Sequence, residues 1–421
     1  MSTAVVEAIQ SAFDDGQKTV ANHNRCVRNL WKSYRKAEDD FPAVLVKFLD
    51  YIFAHPDNSP AIFDRLIRLV ANISCKNARK YPQLTRKLAM KIVRHCLERT
   101  RAKDKNVRLR ATRLLTSILH AMPDDFDLND DSSDADIFEK MAEALCSRSI
   151  DQVASVRTAS MSGLARLQNP NDSKDIVTQA IIRAIEDDSS KDVRLAALKI
   201  VGIHATNTLP VVVRKARDVS DQVRVMAYKT IKEKVPLRVL SMQHKIELLR
   251  FGLKDRSQVC KNACTELCLS WLEEEKGSII GLLKGFGPIE YAAECELLVE
   301  SLLAYGWQPL EKERPVASLL VSANSKLSLE MALLWHMMCR HQFETRGDAE
   351  GILPDAVKFC RLLDSKFLFE AEDAGEAHVQ RARHLIATAA YLDMQDEVRI
   401  NPEGKRTENN NAARVGAFGM Q

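Results

Sequence analysis

Glycine and proline are both scarce in this sequence. The chain has 15 glycines and 13 prolines among 421 residues, about 4% and 3%, where average proteins have about 7% and 5%. Sandwiches, barrels and doubly wound sheets need many tight turns, and those turns depend on these two residues. The shortage therefore predicts an all-α fold.

Long apolar runs are missing as well. The best candidate, residues 43–46, ends at Lys47, far short of the roughly 18 residues that cross a bilayer. The first residues also lack the basic and apolar regions of a signal peptide. Hydrophobic residues nevertheless make up 46% of the chain, which is too many for a disordered protein. We therefore expect a folded intracellular protein with no membrane partner.

Motifs for catalysis and metal binding are absent from the sequence. It contains no phosphate-binding glycine loop, no His-Glu-x-x-His and no Gly-x-Ser-x-Gly. Cys260, Cys264 and Cys268 recur every four residues, but zinc sites usually take ligand pairs from a short turn and need a fourth ligand. The sequence predicts buried thiols here, no metal, no cofactor and no enzymatic activity.

What the chain does contain is a repeat. An acidic residue in a turn is followed by Val-Arg at the start of an apolar helical run, with the valines at 107, 156, 193 and 223, and a degenerate copy without the arginine has its valine at 259. The spacings approach the roughly 40–47 residues of HEAT and armadillo units. We predict an α-solenoid of HEAT-type helical hairpins over residues 1–397. An acidic disordered loop is expected at 124–136, and a disordered tail at 398–421.

The acidic and basic positions of the repeat predict a structural ladder. An aspartate ahead of Val-Arg lies where a helix N-terminus needs an acceptor, and each arginine could pair with an aspartate of the neighbouring unit. Contact of these arginines with a ligand is the alternative. The predicted members are Asp104, Arg108, Arg157, Asp192, Arg194, Asp221 and Arg224.

Charge is distributed unevenly along the chain. The formal net charge is only +4, but between Asn58 and Pro123 there are 16 basic residues against Asp64, Glu98 and Asp104. The next segment, 124–136, then holds seven aspartates. Such an asymmetry indicates a polyanionic partner.

One predicted helix, from Pro60 to Arg79, carries its cations in a single stripe. In a solenoid the second helices of successive hairpins line one surface, so we expect a concave basic wall there. Such a wall would hold a phosphate backbone without reading base sequence; an ordinary solvated face is the alternative. The predicted DNA contacts are Arg65, Arg68, Lys76, Arg79, Lys80, Arg110 and Arg113.

The ordered series of repeats resembles the CAP-G type HEAT subunit of condensin. The resemblance extends from about Val5 to Glu397 and is tightest from Val107 to Leu272. The segments that carry it are Val156–Asp172, Asp192–Arg194, Thr208–Pro210, Arg217–Val219, Val223–Tyr228 and Gly252–Val259.

This resemblance implies a non-catalytic subunit of the chromosome-condensing complex, located in the nucleus and on mitotic chromosomes. Members of the family bind the kleisin subunit and grip double-stranded DNA in a basic groove. The ATPase activity belongs to the SMC heterodimer, an indirect partner.

The chain departs from the family in two respects. The loop His55–Ser59 lacks the basic residues that the family carries there, and family chains continue well beyond this length. The alternative function is a protein-interaction scaffold of the transport-receptor or phosphatase-scaffold type, in which the basic stripe would meet an acidic protein.

Overall fold

A computed structural model describes residues 3–55, 59–123, 137–313, 328–347, 352, 359 and 375–400. The described residues are helical with short connections and contain no β-strand. None of their helices is both long enough and apolar enough to cross a bilayer. The chain divides into two compact units, Met1–Lys215 and Ala216–Gln421.

The first unit contains eleven α-helices among its described residues, joined by short turns and one 3₁₀ turn. They are α1 (Thr3–Gly16), α2 (His23–Tyr34), α3 (Asp40–Ala54), α4 (Pro60–Cys75), α5 (Pro82–Arg99), α6 (Lys105–Ala121), α7 (Ile137–Arg148), α8 (Ala154–Leu164), α9 (Ile176–Asp187), α10 (Lys191–Ile200) and α11 (Leu209–Arg214).

These helices form two layers. In the first layer α1, α3, α5, α7, α9 and α11 each pack against the next, and in the second layer α2, α4, α6, α8 and α10 do the same. The apolar faces of the layers meet and are buried, as shown by Leu45 of α3, Ile92 of α5 and Leu115 of α6. A single hairpin could not bury its apolar face alone, so the neighbouring repeats stabilise one another.

Local sequence signals set the helix boundaries. Ser59 accepts a hydrogen bond from the backbone N–H of Ile62, and Pro60 follows at a position where a helix tolerates proline. Pro82 stands at the first position of α5, where Tyr81 is the N-cap and makes no side-chain capping hydrogen bond. Asp104 caps α6 by accepting hydrogen bonds from two backbone N–H groups.

The second unit contains seven α-helices among its described residues. They are α12 (Asp221–Lys234), α13 (Met242–Gly252), α14 (Gln258–Glu274), α15 (Ile279–Phe286), α16 (Ala292–Ala304), α17 (Leu329–Arg346) and α18 (Glu376–Ile400). Helices α12, α14 and α16 pack in succession, and α17 packs against both α16 and α18.

The predicted all-α, HEAT-type hairpin architecture is confirmed, with some changes in boundaries. The helix predicted to reach Arg79 ends at Cys75, and α18 continues to Ile400, past the predicted boundary at Glu397. The predicted acidic loop at 124–136 and residues 401–421 of the predicted tail lie outside the described residues.

The cysteine stripe forms part of the core of the second unit. Cys260, Cys264 and Cys268 are completely buried on α14, and burial raises the pKa of the Cys264 thiol well above its ordinary value. In the described part of the chain, no three metal-binding side chains come together.

Candidate nucleic-acid interface

Helix α4 and the turn after it present a row of exposed cations. The helix buries Phe63, Leu66 and Ile73 against its neighbours and exposes Arg68. Lys76 caps the helix C-terminus, and Arg79 and Lys80 are exposed in the following turn. Arg68 therefore lies on the helix itself, Lys76 at its C-terminal end, and Arg79 and Lys80 in the turn that follows.

Two of these cations connect α4 to the segment around α2. The Nε of Arg65 donates to the carbonyl oxygen of Gln17 at 2.5 Å, which leaves this side chain only partly exposed. The Nζ of Lys76 donates to the side-chain oxygen of Asn24 and remains exposed. The side chain of Arg65 is thus partly occupied by a hydrogen bond within the fold, whereas the exposed ammonium of Lys76 can still contact a ligand.

An aromatic pair lies under the cations at the end of this row. The ring of Tyr81 stacks on Trp31 with centroids 6.0 Å apart. The guanidinium of Arg35 lies 4.8 Å from the centre of the Tyr81 ring, and the ammonium of Lys80 lies 5.4 Å from it. These are cation–π distances, so Tyr81 brings a cation from α2 and one from the α4 turn together.

Helix α2 adds cations that the sequence prediction did not include. Arg25, Arg28, Lys32 and Arg35 are exposed on the side opposite the buried residues of α2 and follow one another by three, four and three positions. Asp15 pairs with Arg25 at 2.8 Å. The signal is visible in the sequence, because no Asp or Glu occurs between Gly16 and Ala37, but these residues precede the strongly basic segment from Asn58 to Pro123.

The structure gives Arg110 a different role from the predicted one. Its Nη1 donates to the carbonyl oxygens of Ile52, Phe53 and His55 at 3.0, 3.0 and 2.6 Å. Those carbonyls belong to the C-terminal end of α3, where a cation offsets the negative end of the helix dipole. Burial lowers the pKa of Arg110, and we remove this residue from the proposed DNA contacts.

Arg113 is also engaged within the fold. Its Nη2 lies 2.7 Å from the carboxylate of Asp64 on α4, and its guanidinium lies 5.8 Å from the centre of the Phe63 ring. The pair leaves little net charge at this position, which corrects the predicted contribution of Arg113 to the basic surface.

The remaining exposed cations form a continuous set, which we call the α2/α4 basic face. Helices α2 and α4 pack directly against each other, and no Asp or Glu occurs between Arg65 and Leu97. The members of the face are Arg28, Lys32, Arg35, Arg68, Lys76, Arg79 and Lys80, whereas Arg25 at its edge is paired with Asp15.

The repeated arginines form a second constellation, which is structural. In three repeats the Nε and Nη2 atoms donate to both oxygens of an aspartate carboxylate at 2.6–3.0 Å. Two parallel bonds of this kind are the strongest geometry for such a pair. The pairs are Arg108–Asp151, Arg157–Asp188 and Arg224–Asp255.

Each ladder arginine also donates to a carbonyl oxygen of its own turn. The Nη1 of Arg157 reaches the carbonyl of Asp151 at 2.8 Å, and the Nη1 of Arg194 reaches that of Asp188 at 2.8 Å. Asp188 therefore holds one arginine through its carboxylate and the next through its backbone. These arginines lock adjacent hairpins together and are not available to a ligand.

The aspartates of the ladder are not the three that the sequence predicted. Asp104 is the N-cap of α6 and accepts from the N–H groups of Asn106 and Val107. Asp192 and Asp221 are exposed in the first turns of α10 and α12. The pairing acids Asp151, Asp188 and Asp255 come earlier in the turn, and each carboxylate meets the arginine of the preceding repeat.

The ladder shifts the pKa values of its members in opposite directions. The hydrogen bond to Asp255 raises the pKa of Arg224. Burial would raise the pKa of Asp255, but hydrogen bonds from Arg224 and from the Ser257 N–H outweigh burial and lower it. Both groups are therefore held in their charged forms.

The architecture is that of a HEAT-repeat protein. Comparison with known proteins shows which HEAT-repeat proteins the chain is similar to. No family model matches the chain. Condensin complex subunit 3 of Xenopus laevis is 28% identical over 382 residues, covering 85% of this chain and 35% of that protein. The human protein of the same name is 28% identical over 374 residues, covering 85% and 36%.

A solved structure has the same fold. The crystal structure of the S. pombe condensin Cnd3–Cnd2 subcomplex contains a chain that matches with a TM-score of 0.73 and 18% identity, over 98% of this chain and 50% of that one. The similarity to condensin complex subunit 3 thus appears in both sequence and fold. The chain spans about a third of the length of the curated relatives it matches.

Proposed function

We propose that the chain is a non-catalytic HEAT-repeat subunit of a condensin complex, of the CAP-G type. It binds the kleisin subunit, which links it to the SMC ATPase heterodimer, and it holds double-stranded DNA by charge alone. Its place is on chromosomes in the nucleus, where it serves mitotic condensation. The similarity to condensin complex subunit 3 supports the complex, and the α2/α4 basic face supports the DNA contact.

The observation that carries the DNA contact is an exposed row of cations in a stretch of sequence without acids. Arg68, Lys76 and Arg79 are exposed within a stretch that has no Asp or Glu from Arg65 to Leu97. When such cations bind the phosphates of duplex DNA, they displace the counterions that the phosphates had held. This release favours binding at low salt whatever the base sequence. No groove-entering reading element is needed for this contact.

Charge reversal tests the DNA contact. The variant Arg68→Glu/Lys76→Glu/Arg79→Glu should bind a fluorescent duplex at least tenfold more weakly than the parent chain, while its helix content by circular dichroism stays the same. A matched control, Lys174→Glu/Arg183→Glu/Lys191→Glu, changes the net charge equally at exposed positions elsewhere in the first unit. The control should bind DNA nearly as well as the parent.

Equal losses in the two variants would show that only net charge matters and would reject the α2/α4 basic face. A parent chain that binds an acidic protein but no duplex at physiological salt would favour the scaffold alternative.

Co-purification with the kleisin of the same organism tests the proposed binding to the kleisin subunit. The full chain should co-purify with that kleisin, and the charge-reversal variant should co-purify equally well, because its substitutions alter exposed side chains and leave the ladder intact. Failure of the parent chain to bind kleisin would reject the assignment to condensin.

A further inference from the structure

Helix α5 carries its own row of exposed cations in the first layer. Lys87, Lys91 and Arg94 are exposed and follow one another by four and three residues, and Arg101 is exposed just beyond the end of the helix. Residues with this spacing lie on one side of a helix. We call these four residues the α5 basic face.

The α5 basic face lies on the opposite surface of the first unit from the α2/α4 basic face. Helix α5 buries Leu88 and Ile92 completely and packs against α4 and α6 of the second layer. Its exposed side therefore points away from that layer. Lys87 confirms this orientation, because its Nζ lies 2.7 Å from the carboxylate of Asp39, at the start of the first-layer helix α3.

Cations exceed acids on this surface. Asp39 pairs with Lys87, and Asp50 pairs with Arg99 at 2.7 Å and with His95 at 2.9 Å. Glu98 is the remaining exposed acid on α5. The other exposed cations on α5 and in the turn that follows are Lys91, Arg94, Arg101 and Lys103, and that turn also contains the exposed acid Asp104.

The apolar content of this surface distinguishes between two kinds of partner. Among the described residues from Ser59 to Pro123, no large hydrophobic side chain is exposed, and on the neighbouring helix α3 the one exposed large hydrophobic side chain among the described residues is Tyr51. The centre of a protein–protein interface is normally apolar and poor in charged residues, whereas a polyphosphate is bound mainly by Lys and Arg. A nucleic-acid duplex therefore fits the α5 basic face better than an acidic protein does.

We propose that the α5 basic face is a second binding site for duplex DNA, so that one chain holds two DNA segments on opposite surfaces of its first unit. This inference rests on the proposed function of the α2/α4 basic face. From Lys87 to Arg94 the row extends about 10 Å along the helix. Because duplex DNA carries one charge per about 1.7 Å of its axis, several phosphates come within reach of the row.

Stoichiometry provides the test, with the full chain and a short blunt-ended duplex measured by native mass spectrometry. The parent chain should bind two duplexes. The variant Lys91→Glu/Arg94→Glu/Arg101→Glu should bind one, and so should Arg68→Glu/Lys76→Glu/Arg79→Glu. The control Lys174→Glu/Arg183→Glu/Lys191→Glu should still bind two.

A bridging assay measures the same property in solution. The parent chain should carry a fluorescent duplex onto beads that display an unlabelled duplex, and each of the two site variants should reduce this capture at least tenfold. Circular dichroism should show unchanged helix content in both variants, so that loss of bridging is not loss of folding.

The outcomes separate the two proposals. A parent chain that binds only one duplex, or an α5 variant that still binds two, overturns the second site and leaves the proposed function standing. A parent chain that binds no duplex overturns both.

Discussion

At the scale of single residues, the ladder arginines are the most highly constrained side chains of the repeats. The side chains of Arg224 and Asp255 are only 8% and 7% exposed, and two parallel hydrogen bonds join them. A charge held this deep depends on its partner, because water cannot replace the lost bonds.

The first prediction removes one charge from this pair. Asp255→Asn should lower the free energy of unfolding by about 3 kcal/mol, because it leaves the buried guanidinium of Arg224 without its counterion. Asp221→Asn, which the sequence assigned to the ladder but which is exposed, should change it by less than about 0.5 kcal/mol. Urea denaturation measures both, and equal effects would contradict the observed pairing.

The second prediction concerns two histidines in the contact between α17 and α18. The Nδ1 atoms of His336 and His384 lie 3.3 Å apart. Burial lowers the pKa of His336 to about 3, with the charge of His384 also contributing, and it lowers the pKa of His384 to about 4. Both rings are therefore neutral in the folded protein.

A lowered histidine pKa stabilises the fold above the unfolded-state value of 6.5, and this contribution is lost as the pH falls toward the folded-state values. Between pH 7 and pH 5 the free energy of unfolding of this region should fall by roughly 3 kcal/mol. Thermal unfolding at a series of pH values measures this change. His384→Gln should weaken the pH dependence, and an unaltered profile would contradict the assignment.

At the scale of helices, close approach of three elements in the second unit depends on a glycine. A Cβ atom added at Gly252 of α13 would lie 2.4 Å from the Sγ of Cys264 on α14 and 2.7 Å from the hydroxyl of Tyr228 on α12. Both neighbours are buried, so neither side chain can move away without disturbing the core.

The third prediction follows from this contact. Gly252→Ala should destabilise the second unit by about 2 kcal/mol, in spite of the higher helix propensity of alanine, because an overpacked core must shift. Gly285→Ala is the control, since a Cβ atom there meets no atom within 4 Å, and it should be neutral or slightly stabilising. Thermal unfolding of the two variants distinguishes these outcomes.

The sequence predicted the helices better than it predicted the side-chain contacts. Helical periodicity and the prolines at Pro60 and Pro82 defined α4 and α5 because those signals are local. The role of Arg110 could not be predicted from the sequence, since the carbonyl oxygens that accept its hydrogen bonds lie at the end of α3, more than fifty residues away. Likewise, the repeat contains both Asp188 and Asp192, and only the folded turn shows which of them meets an arginine.

At the scale of the whole molecule, the long stretches without acids decide where a polyanion can bind. Residues 16–37 and 65–97 contain no Asp or Glu, and they supply the cations of the α2/α4 basic face. A chain with a modest overall charge can therefore have one part of its surface that is strongly positive.

The fourth prediction uses this distribution. Replacing Arg28 and Lys32 of α2 with glutamine should reduce the slope of log affinity for duplex DNA against log salt concentration by about 2, since each phosphate contact contributes about 0.9. The control Lys174→Gln/Lys191→Gln should leave the slope unchanged. Anisotropy titrations at several salt concentrations measure it, and an unchanged slope in the α2 variant would exclude that helix from the contact.

The arginine–aspartate ladder also has a mechanical consequence. In the first unit Asp188 joins Arg157 to Arg194, so tension applied along the chain reaches these clamps one after another. Because each repeat touches only its neighbours, a clamp that fails releases one hairpin and spares the rest. We expect a protein built this way to yield stepwise under load and to keep most of its length intact while it is stretched.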